Sequence, residues 1–398
     1  MTQTTTSPSI RHPEPTRRHD VDWLRVLGIL TVFLFHCARF FDTEDWHVKS
    51  PRTSPGLDIV VGFMVQWMMP LFFIVSGIGI YHSLARRSWP QYLVSRCKRL
   101  AVPLLFGIFV VIAPWQVYLE RVSHGQYAGS FWSWYASEYF RGAYGLGGNF
   151  AWMGVHLWYL EFLFVFSVIT LPLFLYLRSS AGVRLVAGLS RLVRKPGAIF
   201  LWAIPIGAAE FLASLPAIRH TVLGHEGFGG WSSLPYLTLL VLGYLLAAGP
   251  ELTDAMERHR LAGLVTGIVI FIPAYLLYEA AEEWPWLPRE LLLSPLRGVF
   301  CWSWLVAICG FASRHLRFSS AFLRYANEAV LPFYILHQTV ILTIGFYVLR
   351  LNTSPWLEYL MIAVASFIAI MALYESLVRR FAFLRFIFGL KPQSRVRP

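Results

Sequence analysis

The sequence predicts an all-α, polytopic integral membrane protein with about ten transmembrane helices. Of its 398 residues, 56% are hydrophobic and only 14% are charged, and the mean hydropathy is +0.54. Soluble globular chains carry roughly a quarter charged residues, so this chain lacks the charge to cover a water-exposed surface. Residues 58–81 and 156–177 are apolar runs that exceed the roughly 20 residues needed to cross a bilayer as a helix.

Ten apolar segments lie between polar breaks, and each is predicted to be a transmembrane helix. The segment 198–215 is short and contains Pro205, and the segment 327–349 begins with Asn327 and Glu328. The membrane domain is expected over 21–376, between a disordered cytoplasmic tail (1–20) and a basic cytoplasmic tail (377–398). In chain order the segments are about 22–41, 57–80, 100–119, 155–177, 198–215, 233–249, 261–279, 296–313, 327–349 and 355–375.

The basic residues predict the orientation. When the N-terminus is placed in the cytoplasm, 24 of the 34 Lys and Arg residues fall in inner loops and tails, and seven fall in outer loops. Cytoplasmic loops of membrane proteins carry such an excess of basic residues, so both termini are predicted to be cytoplasmic. The net charge of +12 then reflects topology, and no nucleic-acid partner is expected.

The longest outer loop, 120–153, is rich in Trp, Tyr, Phe and Gly. Aromatic residues gather at membrane interfaces, which is the simplest interpretation of this loop. A re-entrant lid and a surface that stacks on sugar rings are the two functional alternatives.

The first helix carries two polar residues on one face. Arg25 and His36 are eleven positions apart, which brings them back to within roughly 20° of each other on a helix and about 16 Å apart along its axis. Arg25 alone would suit a side chain that extends to the inner interface. His36 alone would suit a structural hydrogen bond, but histidine is also the side chain best matched to accept a proton near neutral pH.

Three further ionisable residues lie in predicted spans, where such residues are candidate functional groups. His156 and Glu161 belong to the fourth span, and His337 lies in the middle of the ninth. Three histidines and a glutamate on three helices predict a polar cavity. Metal binding is not favoured, because no pair of them has ligand spacing on one helix.

Near the inner face, Arg96 and Arg99 are three residues apart and share a helix face. Their planar guanidinium groups suit phosphate oxygens, although on spacing alone ordinary inner-loop charge is the favoured explanation. Ser76 and Gly77 end the second span, where small residues permit close helix packing. The layout is therefore vectorial, since phosphate-binding groups face the cytoplasm and proton-transfer groups lie towards the outer side.

Five segments of the chain resemble motifs of the membrane O-acyltransferases known as the acyltransferase-three family. The order and spacing agree from about residue 20 to residue 390. The five segments are DWLRVLGILTVFLFH (R-x10-H), LFFIVSGIGIY (FFxxSG), SRCKRLAVP (R-x2-R), HLWYL and LPFYILHQTVI.

This resemblance implies a donor, an acceptor and residue roles. The donor would be cytoplasmic acyl-CoA, used as a substrate with no permanently bound cofactor, and the acceptor would be a hydroxyl of a carbohydrate outside the bacterial inner membrane. DWHVKS and the C-terminal sequence are similar to members that add succinyl groups to osmoregulated periplasmic glucans. The candidate catalytic residues are His36 as general base, Arg25, His156 and Glu161. The candidate donor-binding residues are Arg96, Arg99, Ser76 and His337.

Direct attack of the acceptor oxygen on the thioester is the expected mechanism, because no nucleophile-elbow pattern surrounds Ser76. His156 or Trp158 is expected to stabilise the oxyanion. A transporter of glycans or lipid-linked sugars is the main alternative, but the internal repeats that it would favour are not evident. A membrane sensor is a further alternative, for which no soluble output domain is evident.

Overall fold

The computed structural model of the chain describes residues 17–110, 112–141, 149–224, 229–283 and 289–392. These residues form helices and connecting turns, with no β-strand among them, so the predicted all-α class is confirmed for this part of the chain. Residues 1–16 of the predicted N-terminal tail and residues 393–398 of the predicted C-terminal tail lie outside the described ranges.

Eighteen α-helices follow one another along the described chain, and short 3-10 or π-helical turns join several of them. The first nine are α1 (His19–Ala38), α2 (Pro55–Val65), α3 (Met68–Arg86), α4 (Trp89–Arg96), α5 (Val102–Phe109), α6 (Ile112–Ser123), α7 (Phe131–Trp134), α8 (Trp158–Ile169) and α9 (Leu171–Leu177). The others are α10 (Ser180–Leu192), α11 (Ala203–Ser214), α12 (Ser233–Ala248), α13 (Pro250–Arg258), α14 (Arg260–Glu283), α15 (Arg289–His315), α16 (Ala321–Val348), α17 (Pro355–Leu373) and α18 (Ala382–Ile387).

Six helical segments among the described residues are long and apolar enough to cross a bilayer, and two bent helix pairs raise the number to as many as eight. Two shorter apolar helices, Ala198–Ser214 and Arg260–Ala274, coincide with the fifth and seventh predicted spans. The chain is a multi-pass membrane protein. The count of ten spans and the cytoplasmic position of both termini stay predictions. The six segments are His19–Ala38, Pro55–Arg86, Trp89–Ser123, Leu292–His315, Ala321–Leu351 and Pro355–Val378.

Proline accounts for both bent pairs. The pair α8 and α9 bends by 53° next to Pro172, and the pair α12 and α13 bends by 102° at Gly249 and Pro250. Proline has no amide hydrogen and its ring collides with the preceding turn, so a helix that reaches it ends or changes direction. Hydropathy alone does not reveal the bend at Pro172, and α8 and α9 were therefore predicted as one continuous span, 155–177. The predicted span 233–249 ends at Gly249, where the second bend begins.

The helices α3 and α12 touch backbone to backbone through glycines. A Cβ atom on Gly77 would lie 2.1 Å from the carbonyl oxygen of Leu240, and one on Gly243 would lie 2.1 Å from that of Ile74. Both glycines are therefore required for this close crossing. The small residues at the end of the second predicted span do serve helix packing, as the sequence predicted.

Helix α1 lies at the centre of the bundle. It packs against α2, α3, α15, α16 and α17, and α16 in turn packs against α6. Most of its length is buried, including Val32 and Cys37. The side chains of α1 therefore face neighbouring helices on several sides, which places Arg25 and His36 inside the protein.

The loop 120–153, which the sequence predicts on the outer side, forms a small aromatic core together with α6. Phe131, Trp134 and Tyr139 are buried there, whereas Trp132 is 71% exposed. Residues 142–148 of this loop lie outside the described ranges. The packing explains most of the aromatic residues in the described part, and Trp132 stays accessible.

Candidate functional site

A cavity of about 670 Å³ enters the helix bundle between α1, α3, α4 and α16. Its deeper wall includes Val32, Phe72, Ser76, Tyr159 and Tyr334. Nine basic residues line it, against two acidic ones, Asp22 and Glu328. The basic residues are Arg17, Arg18, Arg25, Arg86, Arg87, Arg96, Arg99, Arg324 and Lys391.

Arg25 lies on the cavity wall. Its guanidinium donates to a carboxylate oxygen of Asp22 at 3.1 Å, and a Cβ atom on Gly79 would lie 3.1 Å from one of its nitrogens. Gly79 therefore makes room for the arginine to cross α3. Asp22 also accepts from Arg17 at 2.7 Å, so one carboxylate serves two guanidinium groups and the local charge stays positive.

Arg96 and Arg99 both line the cavity, although the backbone between them is not α-helical. Arg96 ends α4, and Arg99 lies in a π-helical turn, Cys97–Ala101. Such turns widen a helix locally and occur often at functional sites. The guanidinium of Arg96 lies 4.9 Å from the ring centre of Tyr92, and its Nε is buried without a hydrogen-bond partner in the described part of the chain.

Ser76 contributes a hydroxyl deeper in the cavity. Its Oγ lies 2.6 Å from the hydroxyl of Tyr159, which in turn donates weakly to the carbonyl oxygen of Phe72 at 3.4 Å. The two hydroxyl groups form a polar patch on a mainly apolar wall. Tyr159 was not singled out from the sequence, because a tyrosine in an apolar segment does not by itself indicate a site.

His36 and His337 come together beyond the deep end of the cavity, one helical turn above Val32. The Nε2 atom of His337 lies 3.3 Å from the Nδ1 atom of His36, and the ring centres are 4.9 Å apart. The Nδ1 atom of His36 also lies 2.9 Å from the carbonyl oxygen of Val32. His36 and His337, which lie on the first and ninth predicted spans, are therefore neighbours in the fold.

The carbonyl partners assign the tautomer of each neutral ring. The Nδ1 atom of His337 lies 2.5 Å from the carbonyl oxygen of Tyr334, which only accepts, so Nδ1 carries the hydrogen and Nε2 carries a lone pair. His36 likewise carries its hydrogen on Nδ1, which faces both the Val32 carbonyl and that lone pair. The Nε2 atom of His36 is therefore left with a lone pair that can accept a proton.

His156 lies beside this pair, but both of its ring nitrogens are occupied. Its Nε2 faces the carbonyl oxygens of Tyr334 and Ile335 at 3.1 and 3.2 Å, and its Nδ1 accepts from Gln116 at 3.1 Å. His156 is also buried, at 5% exposure. The arrangement therefore makes His156 a structural link between α6, α16 and the 3-10 turn Val155–Leu157 that precedes α8.

A small amide network extends from His156. Gln116 also donates to Thr339 at 2.6 Å and accepts from Gln338 at 3.1 Å. These residues hold α6 against α16 through fully paired polar groups, which an apolar environment requires. Sequence reasoning missed Gln116, although a lone amide within the predicted span 100–119 is a signal that could have pointed to it.

The remaining predicted residues lie apart from the histidines. Glu161 does not line the cavity, and its Oε2 atom is buried without a hydrogen-bond partner among the described residues. Trp158 packs against Phe73 and Tyr236. No group of three or more potential ligands in the described ranges could hold a metal ion. Glu161 thus neither orients an imidazole nor pairs with an arginine in this arrangement.

A loop between α1 and α2 covers His36 on the side away from the basic cavity. The half-buried ring of Trp46 lies 6.1 Å from the ring of His36 at an angle of 37°, and the edge of Phe40 supports it at 4.8 Å. His36 therefore lies between the basic cavity on one side and Trp46 on the other. Nothing in the span pattern indicated this position for Trp46.

Buried ion pairs hold this loop in place. The fully buried carboxylate of Asp42 accepts from Arg39 at 2.5 Å and from Lys49 at 2.6 Å. Burial raises the pKa of the Asp42 carboxyl, and the two cations oppose that rise. His47 also pairs with Glu120 of α6, so the loop is attached to two helices.

Comparisons with known proteins point to one family. A family model described as an acyltransferase domain, of the acyltransferase-three type, matches residues 18–375. The chain is 27% identical to the proteins called glucans biosynthesis protein C of Escherichia coli strains SMS-3-5 / SECEC and K12 / DH10B. Each comparison covers 93% of this chain and 92% of the relative, and the protein of the same name from strain O81 (ED1a) is 26% identical over the same shares. No solved structure matches the chain.

Proposed function

The chain belongs to the acyltransferase-three family and is an acyltransferase, and we propose that it transfers an acyl group from cytoplasmic acyl-CoA to a carbohydrate hydroxyl outside the inner membrane. The observation that carries this proposal is the position of His36. Its free Nε2 lone pair lies beyond the deep end of a basic cavity and beneath an aromatic loop.

The cavity suits a phosphate-bearing donor. Its acidic residues are both paired with arginines, Asp22 with Arg17 and Arg25, and Glu328 with Arg385. Most of the nine basic groups therefore retain their charge for a ligand. Guanidinium groups bind phosphate oxygens in a planar, two-pronged geometry, and an elongated donor could reach from there to His36, about 16 Å from Arg25 along α1.

The acceptor is proposed on the opposite side of His36. The relatives are named for glucan biosynthesis, and a glucan offers both hydroxyl groups and sugar rings. Trp46 presents an aromatic ring next to His36, where a sugar ring could stack. We therefore propose a periplasmic glucan as acceptor, with succinyl as the acyl group suggested by the resemblance to glucan-modifying members of the family.

The reaction proceeds by direct attack. The Nε2 atom of His36 accepts the proton of the acceptor hydroxyl while the oxygen forms a bond to the thioester carbonyl carbon. Collapse of the tetrahedral intermediate breaks the carbon–sulfur bond, and the thiolate takes the proton back from His36. The products are an O-acyl ester and free CoA thiol. Both nitrogens of His156 are occupied and Trp158 faces other aromatic rings, so neither is assigned to the oxyanion.

The test is acyl transfer by purified protein supplied with labelled succinyl-CoA and a neutral glucan. Wild-type protein should label the glucan, and His36→Ala should lower the rate at least about 100-fold, because general-base catalysis contributes about 10²- to 10⁴-fold. His220→Ala removes an exposed histidine and serves as the control. Full transfer by His36→Ala would refute the general-base assignment.

Further variants separate the donor side from the acceptor side. Arg96→Ala and Arg99→Ala should raise the KM for the donor and leave the KM for the glucan unchanged, because both arginines line the cavity. Trp46→Ala should raise the KM for the glucan and leave the KM for the donor unchanged. Trp132→Ala serves as the exposed aromatic control. Arginine variants that changed only the KM for the glucan would contradict the proposed donor site.

A further inference from the structure

The chain beyond residue 375, where the family match ends, returns to the mouth of the basic cavity. The short helix α18 is followed by Gly389, Leu390 and Lys391, and all three line the cavity. The wall of the cavity thus includes residues outside the matched domain. The segment 382–391 is called the C-terminal strap below.

Arg385 fastens the strap to the bundle. It is only 6% exposed, and its guanidinium donates to the carbonyl oxygen of Lys391 at 2.8 and 3.1 Å and to that of Arg379 at 3.3 Å. It also forms an ion pair with Glu328 of α16 at 2.8 Å. A buried guanidinium is stable only when its donors are paired, so these bonds fix the position of the strap relative to α16.

Gly389 lets the strap pass close to the cavity wall. Its φ angle of +68° is one that glycine adopts without steric cost. A Cβ atom here would also lie 2.8 Å from the side chain of Leu331 and 3.1 Å from the carbonyl oxygen of Arg99. The strap therefore lies against the turn that carries Arg99, one of the cavity's basic residues.

Lys391 brings the strap's charge to the cavity mouth. Its side chain is exposed, and no ion pair of its ammonium group occurs among the described residues. The two carboxylates of the cavity are already paired with arginines. Lys391 therefore adds a cation to a surface where no acidic partner is left for it, and a phosphate ligand would supply that partner.

We propose that the C-terminal strap is part of the donor site, with Lys391 binding a phosphate of the donor and Arg385 acting as the positioning residue. This inference rests on the proposed function, since it takes the occupant of the cavity to be acyl-CoA. The strap extends the acyltransferase unit beyond the residues that the family match covers.

The test compares a donor that has phosphates with one that lacks them. Protein in nanodiscs of the neutral lipid phosphatidylcholine is assayed with succinyl-CoA and with the phosphate-free thioester succinyl-pantetheine. Lys391→Met should raise the KM for succinyl-CoA and the Kd for CoA roughly 5- to 10-fold, as expected for one charged hydrogen bond at a partly screened site. The KM for succinyl-pantetheine should not change. The difference in KM for succinyl-CoA between wild type and Lys391→Met should shrink at high salt.

Two further variants complete the design. Arg380→Met removes an exposed cation from the same end of the chain that does not line the cavity, and it should change neither KM. Arg385→Met should act in the same direction as Lys391→Met, because it releases the backbone that carries Lys391.

Four results would count against the strap proposal. Equal effects of Lys391→Met and Arg380→Met, or equal effects of Lys391→Met on both donors, would overturn it. If wild-type protein binds CoA and Lys391→Met has the same Kd for CoA, the strap proposal alone is overturned. Wild-type protein that binds no CoA would overturn the proposed function and the strap proposal together.

Discussion

At the scale of single residues, the three histidines differ in what their nitrogens touch. His337 is fully buried, His156 is nearly so, and only His36 is partly accessible. His156 uses both nitrogens for protein contacts, whereas His36 uses only Nδ1. The pair His337 and His36 resembles other base-and-orienter pairs, in which a second group fixes the tautomer of the histidine that moves the proton.

This arrangement predicts that His337 acts through His36. His337→Met introduces an apolar side chain of similar size and removes one of the two acceptors for the Nδ1 hydrogen of His36, leaving the Val32 carbonyl. The kcat should fall roughly 10-fold, with the donor KM unchanged, because the His337 lone pair also stabilises the positive charge that His36 gains when it accepts the proton. His337→Gln offers an amide oxygen as a substitute acceptor and should recover part of the rate. Steady-state kinetics over a range of pH values measure both effects.

A purely structural role would give a different outcome. In that case both His337 variants would lower the unfolding temperature together and lose activity in proportion to the folded fraction. Equal kcat values for His337→Met and His337→Gln, at equal stability, would also refute the orienting role.

The sequence predicted that His36, His156, His337 and Glu161 would share a polar cavity. The structure brings the three histidines together next to the basic cavity but leaves Glu161 apart from them. The partners that separate their roles, Gln116 and the Tyr334 carbonyl, lie 40 and 178 residues from His156 along the chain. Such contacts depend on how α6 and α16 pack, and no local pattern encodes that packing.

At the scale of helices, hydropathy located the spans while small residues and prolines shaped them. All ten predicted segments coincide with helices of the described chain, but the bend at Pro172, inside the predicted span 155–177, was not predicted. Glu161 is a further example. The sequence predicted its depth in the fourth span, but it did not predict the direction in which its side chain points. Helix rotation and bending are set by packing against neighbours.

The crossing of α3 and α12 predicts a specific sensitivity. Gly77→Ala would place a methyl group 2.1 Å from the Leu240 carbonyl oxygen, so the two helices must separate. Overpacking of this kind typically costs about 1–3 kcal/mol, and the unfolding temperature in detergent should fall accordingly. Because Ser76 is the neighbouring residue on α3, donor affinity should fall as well.

Gly62→Ala is the matched control for this prediction. Gly62 lies on α2, and an added Cβ atom there meets nothing within 4 Å. Alanine also favours a helix over glycine by about 1 kcal/mol, so this variant should be as stable as wild type or more stable. Equal unfolding temperatures for the two variants would show that the α3 and α12 helices tolerate separation.

At the scale of the whole molecule, the distribution of basic residues predicts how the chain is oriented in the membrane. The basic loops that predict the cytoplasmic side include Arg86, Arg87, Arg96 and Arg99, and the same four residues line the cavity mouth. The charges that predict the orientation are therefore also the ones proposed to bind the donor. The sequence predicted this axis through α1, but the position of residues 389–391 in the cavity wall depends on a chain reversal that only the folded structure reveals.

The position of these four arginines in predicted cytoplasmic loops and in the cavity predicts that the protein accepts its donor only from the cytoplasmic face of the membrane. Acyl-CoA does not cross a bilayer readily because of its charged phosphates, so everted membrane vesicles, whose cytoplasmic face points outward, should transfer label when succinyl-CoA is added outside. Sealed right-side-out vesicles should transfer it only after permeabilisation, and the labelled glucan should appear on the face opposite the donor. Everted vesicles carrying His36→Ala give the background rate. Equal transfer by sealed vesicles of both orientations would contradict a cavity mouth on the cytoplasmic side, which the positive-inside distribution predicts for all four arginines.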